Sequence, residues 1–333
     1  MKSEMVSTRP ARSKDQPINA ETLSVFIVDD NAQMREIISR VLRSFGIKNL
    51  RHFGDGQSLL AALPYDLADI IFCDLLMEPM DGLSVLKAIR FHPNRIIARV
   101  PIVILTGERD VKSVVSARDL GATEYLLKPI SPSILWKRVL SLLVEPRDFV
   151  VTENYRGPMP RIPNDSSQLA KFFPPPVPLN QKSTKMTTSM KDAVSAAKAS
   201  LAELAIDYPA ILKADVAQLQ AHFSKVQADG FTEETVKAIF RKAHDLKGQA
   251  ATFGFDLVTA VSASLCTLLR KLLDHPDQIG TRKLALATVV SMHIDAIEVC
   301  ANQNITGNGG ADGTELLQTL AVATKRVAAG LDS

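Results

Sequence analysis

The feature that most constrains this chain is a series of short apolar segments separated by amphipathic ones between residues 22 and 145. LSVFIV (23–28), NLRHF (49–53), DIIFC (69–73), PIVIL (101–105) and EYLL (124–127) have the length and content of strands. MREIISRVLRSF (34–45), QSLLAAL (57–63), GLSVLKAIRF (82–91), VKSVVSARDL (111–120) and SILWKRVLSLL (133–143) have helical spacing. Short Val/Ile/Leu runs are the pattern of strands buried on both faces. Regular alternation of strand and helix predicts a doubly wound α/β domain, with a five-stranded parallel sheet between layers of helices. In such sheets functional residues collect at the C-terminal ends of the strands.

Asp29 and Asp30 follow the first of these strands, Asp74 the third, Thr106 the fourth and Lys128 the fifth. Three carboxylates on one rim repel one another unless a cation lies between them. An all-oxygen donor set suits Mg²⁺, which keeps some of its waters and takes phosphate oxygens as further ligands. A lysine beside them can pair with a carboxylate or a phosphoryl oxygen, and a hydroxyl can donate to the same oxygen. Each acid by itself would read as a helix N-cap; their convergence on one rim points to a site. Cys73, next to Asp74 at a buried strand end, reads as a core thiol.

At these residues the chain resembles the receiver domain of response regulators. The matching motifs are Val28-Asp29-Asp30, Asp74-Leu75-Leu76-Met77 through Met80-Asp81-Gly82, Leu105-Thr106-Gly107, and Tyr125-Leu126-Leu127-Lys128-Pro129. The resemblance implies a flavodoxin-like fold over residues 22–145, with Asp74 as the phosphoacceptor. It implies that Asp29, Asp30, Asp74 and the Leu76 carbonyl hold Mg²⁺, that Thr106 and Lys128 contact the phosphoryl group, and that Thr106 and Tyr125 form the switch pair. The family usually has proline four residues after the acceptor; here Glu78 stands there and Pro79 follows, with the loop length to Gly82 kept.

From Ser189 onward the pattern is helical, rich in Ala, Leu and Lys. Helices are expected over 191–206, 209–227, 232–255, 256–274, 280–302 and 313–329. In the third, Thr232 is a candidate N-cap followed by Glu233 and Glu234, where acids suit the helix dipole. Val236, Ile239, Phe240, Ala243, Leu246, Ala250 and Phe253 form its apolar stripe. His244 falls off that stripe, with Lys237, Arg241, Lys247, Gly248 and Ala251 at helical spacings around it, so a solvent-facing histidine among cations is expected. A mid-helix glycine costs about 1 kcal/mol against alanine, and close approach of another surface would offset it. The run Ala243-His244-Asp245-Leu246-Lys247-Gly248 resembles the histidine-containing phosphotransfer (HPt) domain. That resemblance implies a four-helix bundle carrying phosphate on His244, with Lys247 balancing its charge and Gly248 leaving it room. His52, His92, His222, His275 and His293 have no such company and read as structural or surface residues.

The organisation expected is a loose tail (1–21), a receiver (22–145), a linker (146–187) and an HPt-like helical bundle (188–333). The linker holds eight of the 18 prolines, which suggests polyproline character. The net charge of +3 is too small to argue for nucleic acid. Three widely spaced cysteines suit reduced thiols. No apolar run is seen that nears the 18–20 or so residues of a membrane span, and the N-terminus has no apolar signal-peptide core; a cytoplasmic protein is expected. No ATP-binding region, phosphate-binding glycine loop or DNA-binding module is visible after the receiver. The expected role is therefore a phosphorelay intermediate and not an enzyme. Its partners would be a sensor histidine kinase or hybrid kinase and other receiver domains, with no nucleic acid and no membrane. The alternatives are a docking module regulated by phosphorylation and a phosphate sink for a kinase.

Overall fold

A computed structural model describes residues 20–107, 111–144, 146–159, 171–173, 189–275 and 283–329. The chain divides into two compact units, Met1–Leu201 and Ala202–Ser333.

In the first unit the order is β1 (Ser24–Val28), α1 (Ala32–Ser44), β2 (Asn49–Phe53), α2 (Gly56–Ala62), β3 (Ile70–Asp74), α3 (Gly82–Arg90), α4 (Arg95–Arg99), β4 (Ile102–Thr106), α5 (Val111–Asp119), β5 (Glu124–Leu127) and α6 (Pro132–Val144). The five strands form one sheet in the order β2-β1-β3-β4-β5, parallel throughout. Every residue of β1, β3 and β4 is buried, as their unbroken apolar runs require. The helices start where polar side chains satisfy free amides: Asn31 accepts from Met34 N at 3.0 Å, Asp55 from Ser58 N at 2.7 Å and Asp81 from Ser84 N at 2.7 Å. Short α4, with Asn94 as its cap, was not expected; five residues are too few to show a period. Of the expected tail, residues 1–19 lie outside the described residues, and Ala20–Thr22 form a 3-10 turn leading into β1.

The expected linker begins as ordered structure. β6 (Phe149–Val151), β7 (Arg156–Pro158) and β8 (Lys171–Phe173) form an antiparallel sheet in the order β7-β6-β8. Phe149 and Val150 are buried, which the proline count does not register. The anchor is Arg90, whose side chain is buried with no carboxylate bridged to it among the described residues. It donates to the carbonyls of Gly121 (2.8 Å), Ala98 (2.9 Å) and Val100 (2.9 Å) and lies 5.6 Å from the Phe149 ring centroid. Burial pushes this guanidinium down to about 9. Gly121 has φ +91° and its Cα meets Gly157, so a Cβ on either would overlap backbone.

The helical region comprises α7 (Met190–Asp229), α8 (Glu233–Thr252), α9 (Asp256–Asp274), α10 (Lys283–Asn302) and α11 (Gly310–Ala328). α7 is one helix where two were expected. Pro209 removes a hydrogen bond, but Tyr208 beside it is buried against Phe253 and Phe255, with ring centroids 4.4 and 5.3 Å away. The last helix likewise starts earlier than 313. α8 is capped by Thr232, which exchanges hydrogen bonds with Thr235. α10 corrects the expectation of no membrane-length run: among the described residues it is one helix, Leu284–Asn302, long and apolar enough to span a bilayer by length and composition. Half of that stretch is buried within the protein, and it carries His293. The His293 ring sits 2.7 Å from the Val289 carbonyl through Nδ1 and 2.9 Å from the Ser264 hydroxyl through Nε2. The carbonyl can only accept, so Nδ1 holds the proton and Nε2 accepts from Ser264, tying α10 to α9.

Arg90→Met should leave three buried carbonyls without their donor. We expect a loss of about 2–4 kcal/mol in urea unfolding of the full chain; an unchanged midpoint would show that Arg90 does not anchor the added sheet.

Candidate functional site

The parallel register brings the predicted rim together. Val28 pairs with Cys73, Asp74 with Leu105 and Thr106 with Leu127, so the C-terminal ends of β1, β3, β4 and β5 lie side by side. Carboxylate oxygens of Asp29, Asp30 and Asp74 all fall within 4.8 Å of one another. Asp29 and Asp74 are buried and Asp30 is exposed. The Lys128 ammonium lies 2.8 Å from Asp29 Oδ2 and 2.6 Å from Asp74 Oδ1. Thr106 is buried at the end of β4, and its carbonyl accepts from the Lys128 amide at 2.6 Å, which seats the lysine over the pocket.

The loops are held as tightly. Asp29 Oδ1 accepts from the Asn31 amide at 2.9 Å. Arg35 donates to the carbonyls of Asp29 (2.6 Å) and Asp30 (3.3 Å). Sequence reading missed Arg35; its only signal is its place one turn into the helix that follows the acids. Gly82 donates to the Leu75 carbonyl at 2.9 Å, and a Cβ there would overlap the Asp74 carbonyl. The glycine thus keeps the loop closed despite Glu78-Pro79. Leu76 is half-buried in that loop. Tyr125 is half-buried on β5 against the core under the pocket.

Burial raises Asp74 to about 8; Lys128 draws it down and Asp29 pushes it up. For Lys128 burial opposes the charge, but Asp29 and Asp74 outweigh it and hold the ammonium above its ordinary range. Burial, reinforced by Asp74, lifts the Cys73 thiol well above its ordinary value, as suits a core residue.

The helix α8 carries the second candidate. Val236, Ile239, Phe240, Ala243, Leu246 and Ala250 are all buried, as the stripe predicts. His244 corrects the expectation of a water-facing histidine: it is only 4% exposed, and its ring is stacked on Phe240 with centroids 6.2 Å apart. Lys247 is half-buried and Gly248 buried. Of the expected cations, Lys237 pairs with Glu233 at 2.6 Å on the exposed side. Lys242, one residue from that set, pairs with Asp215 of α7 at 2.8 Å, both nearly buried.

The sequence matches the response regulator receiver domain family over residues 25–140 and the Hpt domain family over residues 210–297. It is 37% identical over 106 residues to the DNA-binding transcriptional regulator NtrC of Salmonella typhimurium, covering 32% of this chain and 21% of that protein. It is 34% identical over 119 residues to the DNA-binding response regulator MtrA of Mycobacterium tuberculosis, covering 36% of this chain and 50% of that protein. The chain therefore spans half or less of these curated relatives. A structure of the Vibrio cholerae chemotaxis protein CheY4 shares 29% identity at a TM-score of 0.33, over 35% of this chain and 96% of that one. The chain carries a receiver domain and an Hpt domain. Together these two indicate two-component phosphorelay signalling.

Two outcomes follow from this geometry. Burial raises folded Asp74 above the value near 4 at which an unfolded aspartate loses its proton. Between the unfolded and folded values the folded state binds more protons, so this group's contribution to stability falls as pH rises. In chelator at pH 8, Asp74→Asn should melt roughly 2–8 °C above wild type, with the gap closing toward pH 4; a lower melting temperature at pH 8 would contradict the burial argument. Separately, diethyl pyrocarbonate should modify exposed His275 well before His244, read by peptide mass; equal rates would show that His244 is open.

Proposed function

We propose that the chain is a phosphorelay intermediate that takes a phosphoryl group on Asp74 and exchanges phosphate through His244 with receiver domains. The observation that carries this reading is the meeting of Asp29, Asp30, Asp74 and Lys128 within ion-pair range in a chain that also carries an Hpt helix. With all three carboxylates ionised, one ammonium would leave two negative charges, and the donors are all hard oxygens. This set fits Mg²⁺, which Asp29, Asp30, Asp74 and the Leu76 carbonyl would hold. Bound there, Mg²⁺ supplies positive charge to the phosphoryl oxygens.

The chain's own residues do the rest. An Asp74 oxygen attacks phosphorus in line, forming an acyl phosphate as the donor's bond to phosphorus breaks. Lys128 shifts from the Asp74 oxygen to a phosphoryl oxygen and balances its charge, and the Thr106 hydroxyl donates to another. Tyr125 turns with Thr106 as the switch. In exchange with His244 a P–N bond forms as the acyl P–O bond of a phosphorylated receiver breaks, and in the reverse step the proton on the other ring nitrogen lets the imidazole leave neutral as the carboxylate's P–O bond forms. Lys247 balances the phosphohistidine charge and Gly248 gives it room. Because His244 is buried, its face must be uncovered before a partner reaches it.

The donor in this reading is a sensor histidine kinase or hybrid kinase, the acceptors are other receivers, and the setting is the cytoplasm. No nucleic acid, membrane or separate small-molecule substrate is required, so the chain is not an enzyme in its own right. The buried His244 favours one second reading, a docking module switched by Asp74 alone.

Labelling the full chain with a small acyl phosphate and Mg²⁺ separates the readings. Alkali-labile label should vanish in Asp74→Asn and with chelator. Given a phosphorylated receiver instead, the wild type should gain acid-labile label that His244→Gln lacks. Alkali-labile label surviving in Asp74→Asn would sink the acceptor assignment; absence of acid-labile label in wild type would leave only the docking reading.

A further inference from the structure

The sheet formed by β6, β7 and β8 takes no part in this chemistry, yet its contacts converge on one place, the turn that opens β5. Arg147 donates to the Thr123 carbonyl and, at 3.1 Å, to the Met159 carbonyl. Arg90, under the Phe149 ring, holds Gly121 O at 2.8 Å and Thr123 Oγ1 at 3.4 Å. Gly157 lies against Gly121, and Arg156 stacks 4.7 Å from the Phe91 ring centroid. Thus Gly121–Thr123 is gripped from the side of the sheet opposite Asp74.

β5 joins this grip to the pocket. It has four residues, about 13 Å of extended chain. Thr123 precedes its first residue, Lys128 follows its last, and Tyr125 lies between. β5 is also a sheet edge, paired only with β4, so it is freer to shift along its axis than the strands inside. A phosphoryl group on Asp74 moves negative charge outward from the carboxylate that Lys128 now holds at 2.6 Å. Lys128 follows that charge, and the strand carries the motion to its other end, drawing the Thr123 carbonyl away from Arg147.

We infer that the β6–β7 segment is a latch on the receiver, released when Asp74 carries a phosphoryl group and worked through β5. The inference rests on the reading of Asp74 as acceptor. Coupling of this kind is reciprocal, so loosening the latch also changes how the pocket holds its ligand.

The test is hydrogen exchange of the full chain with and without Mg²⁺ and beryllofluoride, which adds to a carboxylate as a phosphoryl mimic. Peptides over 125–130 report the pocket, and peptides over 147–159 report the latch, where Thr152 N donates to Tyr155 O and Met159 N to Asp148 O. We expect exchange over 147–159 to rise about fivefold with beryllofluoride. Arg147→Ala should raise it without the mimic and shrink the response, while ¹⁹F NMR shows beryllofluoride still bound. Arg156→Ala, which removes only the stacking on Phe91, should do the same more weakly, and circular dichroism checks that either variant is folded. A response over 125–130 with unchanged or slower exchange over 147–159 overturns the latch and leaves Asp74 standing. No response in either place overturns both.

Discussion

The ammonium of Lys128 between Asp29 and Asp74 is the contact around which the first unit is arranged. All three groups are almost withdrawn from water, where charges persist only when paired. The pairing needs donors from three strands: β5 delivers the lysine past β4 to acids on β3 and β1. Only the order β1-β3-β4-β5, with every strand pointing the same way, places those ends together. The buried apolar strands hold that order, and the closed loops over Gly82 and Asn31 hold the side chains. One lysine does not balance three acids, and the proposed cation would offset that deficit.

The helical region solves a different problem. α8 contributes one face to a core and also carries His244, the residue proposed for phosphotransfer. Its apolar stripe is sealed, and the ring of His244 is drawn in against Phe240. His293 shows the contrast. With both nitrogens satisfied by Val289 and Ser264, it is fixed in one tautomer and fastens two helices. Both histidines are buried, so burial alone does not tell their roles apart.

Much of this was legible in the residues. Strands read from continuous apolar runs, and the rim acids fell where a parallel sheet puts them, because both signals are local. The stripe of α8 read correctly for the same reason. What did not read depended on contacts far along the chain. Pro209 argued for a helix end, but Tyr208 meets Phe253 and Phe255, whose positions no local pattern gives. His244 sat off the apolar stripe and still became buried. α10 was expected as one helix and is one, but His293, Asp295 and Glu298 interrupt its apolar run and hid how long it is. Proline density hid three short strands, the first of which packs its Phe149 ring against Arg90, about sixty residues earlier.

That last contact bears on how such a chain can be assembled from parts in evolution. Recombination works best at seams that few contacts cross. Family resemblance puts the receiver's end near residue 140, but a crossover there would strand Arg90 without Phe149 and Gly121 without Gly157. The receiver of this chain travels intact only if the exchanged piece carries the β6–β7 segment with it. The heritable module is thus longer than its sequence motif, and a new partner domain can be grafted only beyond that segment.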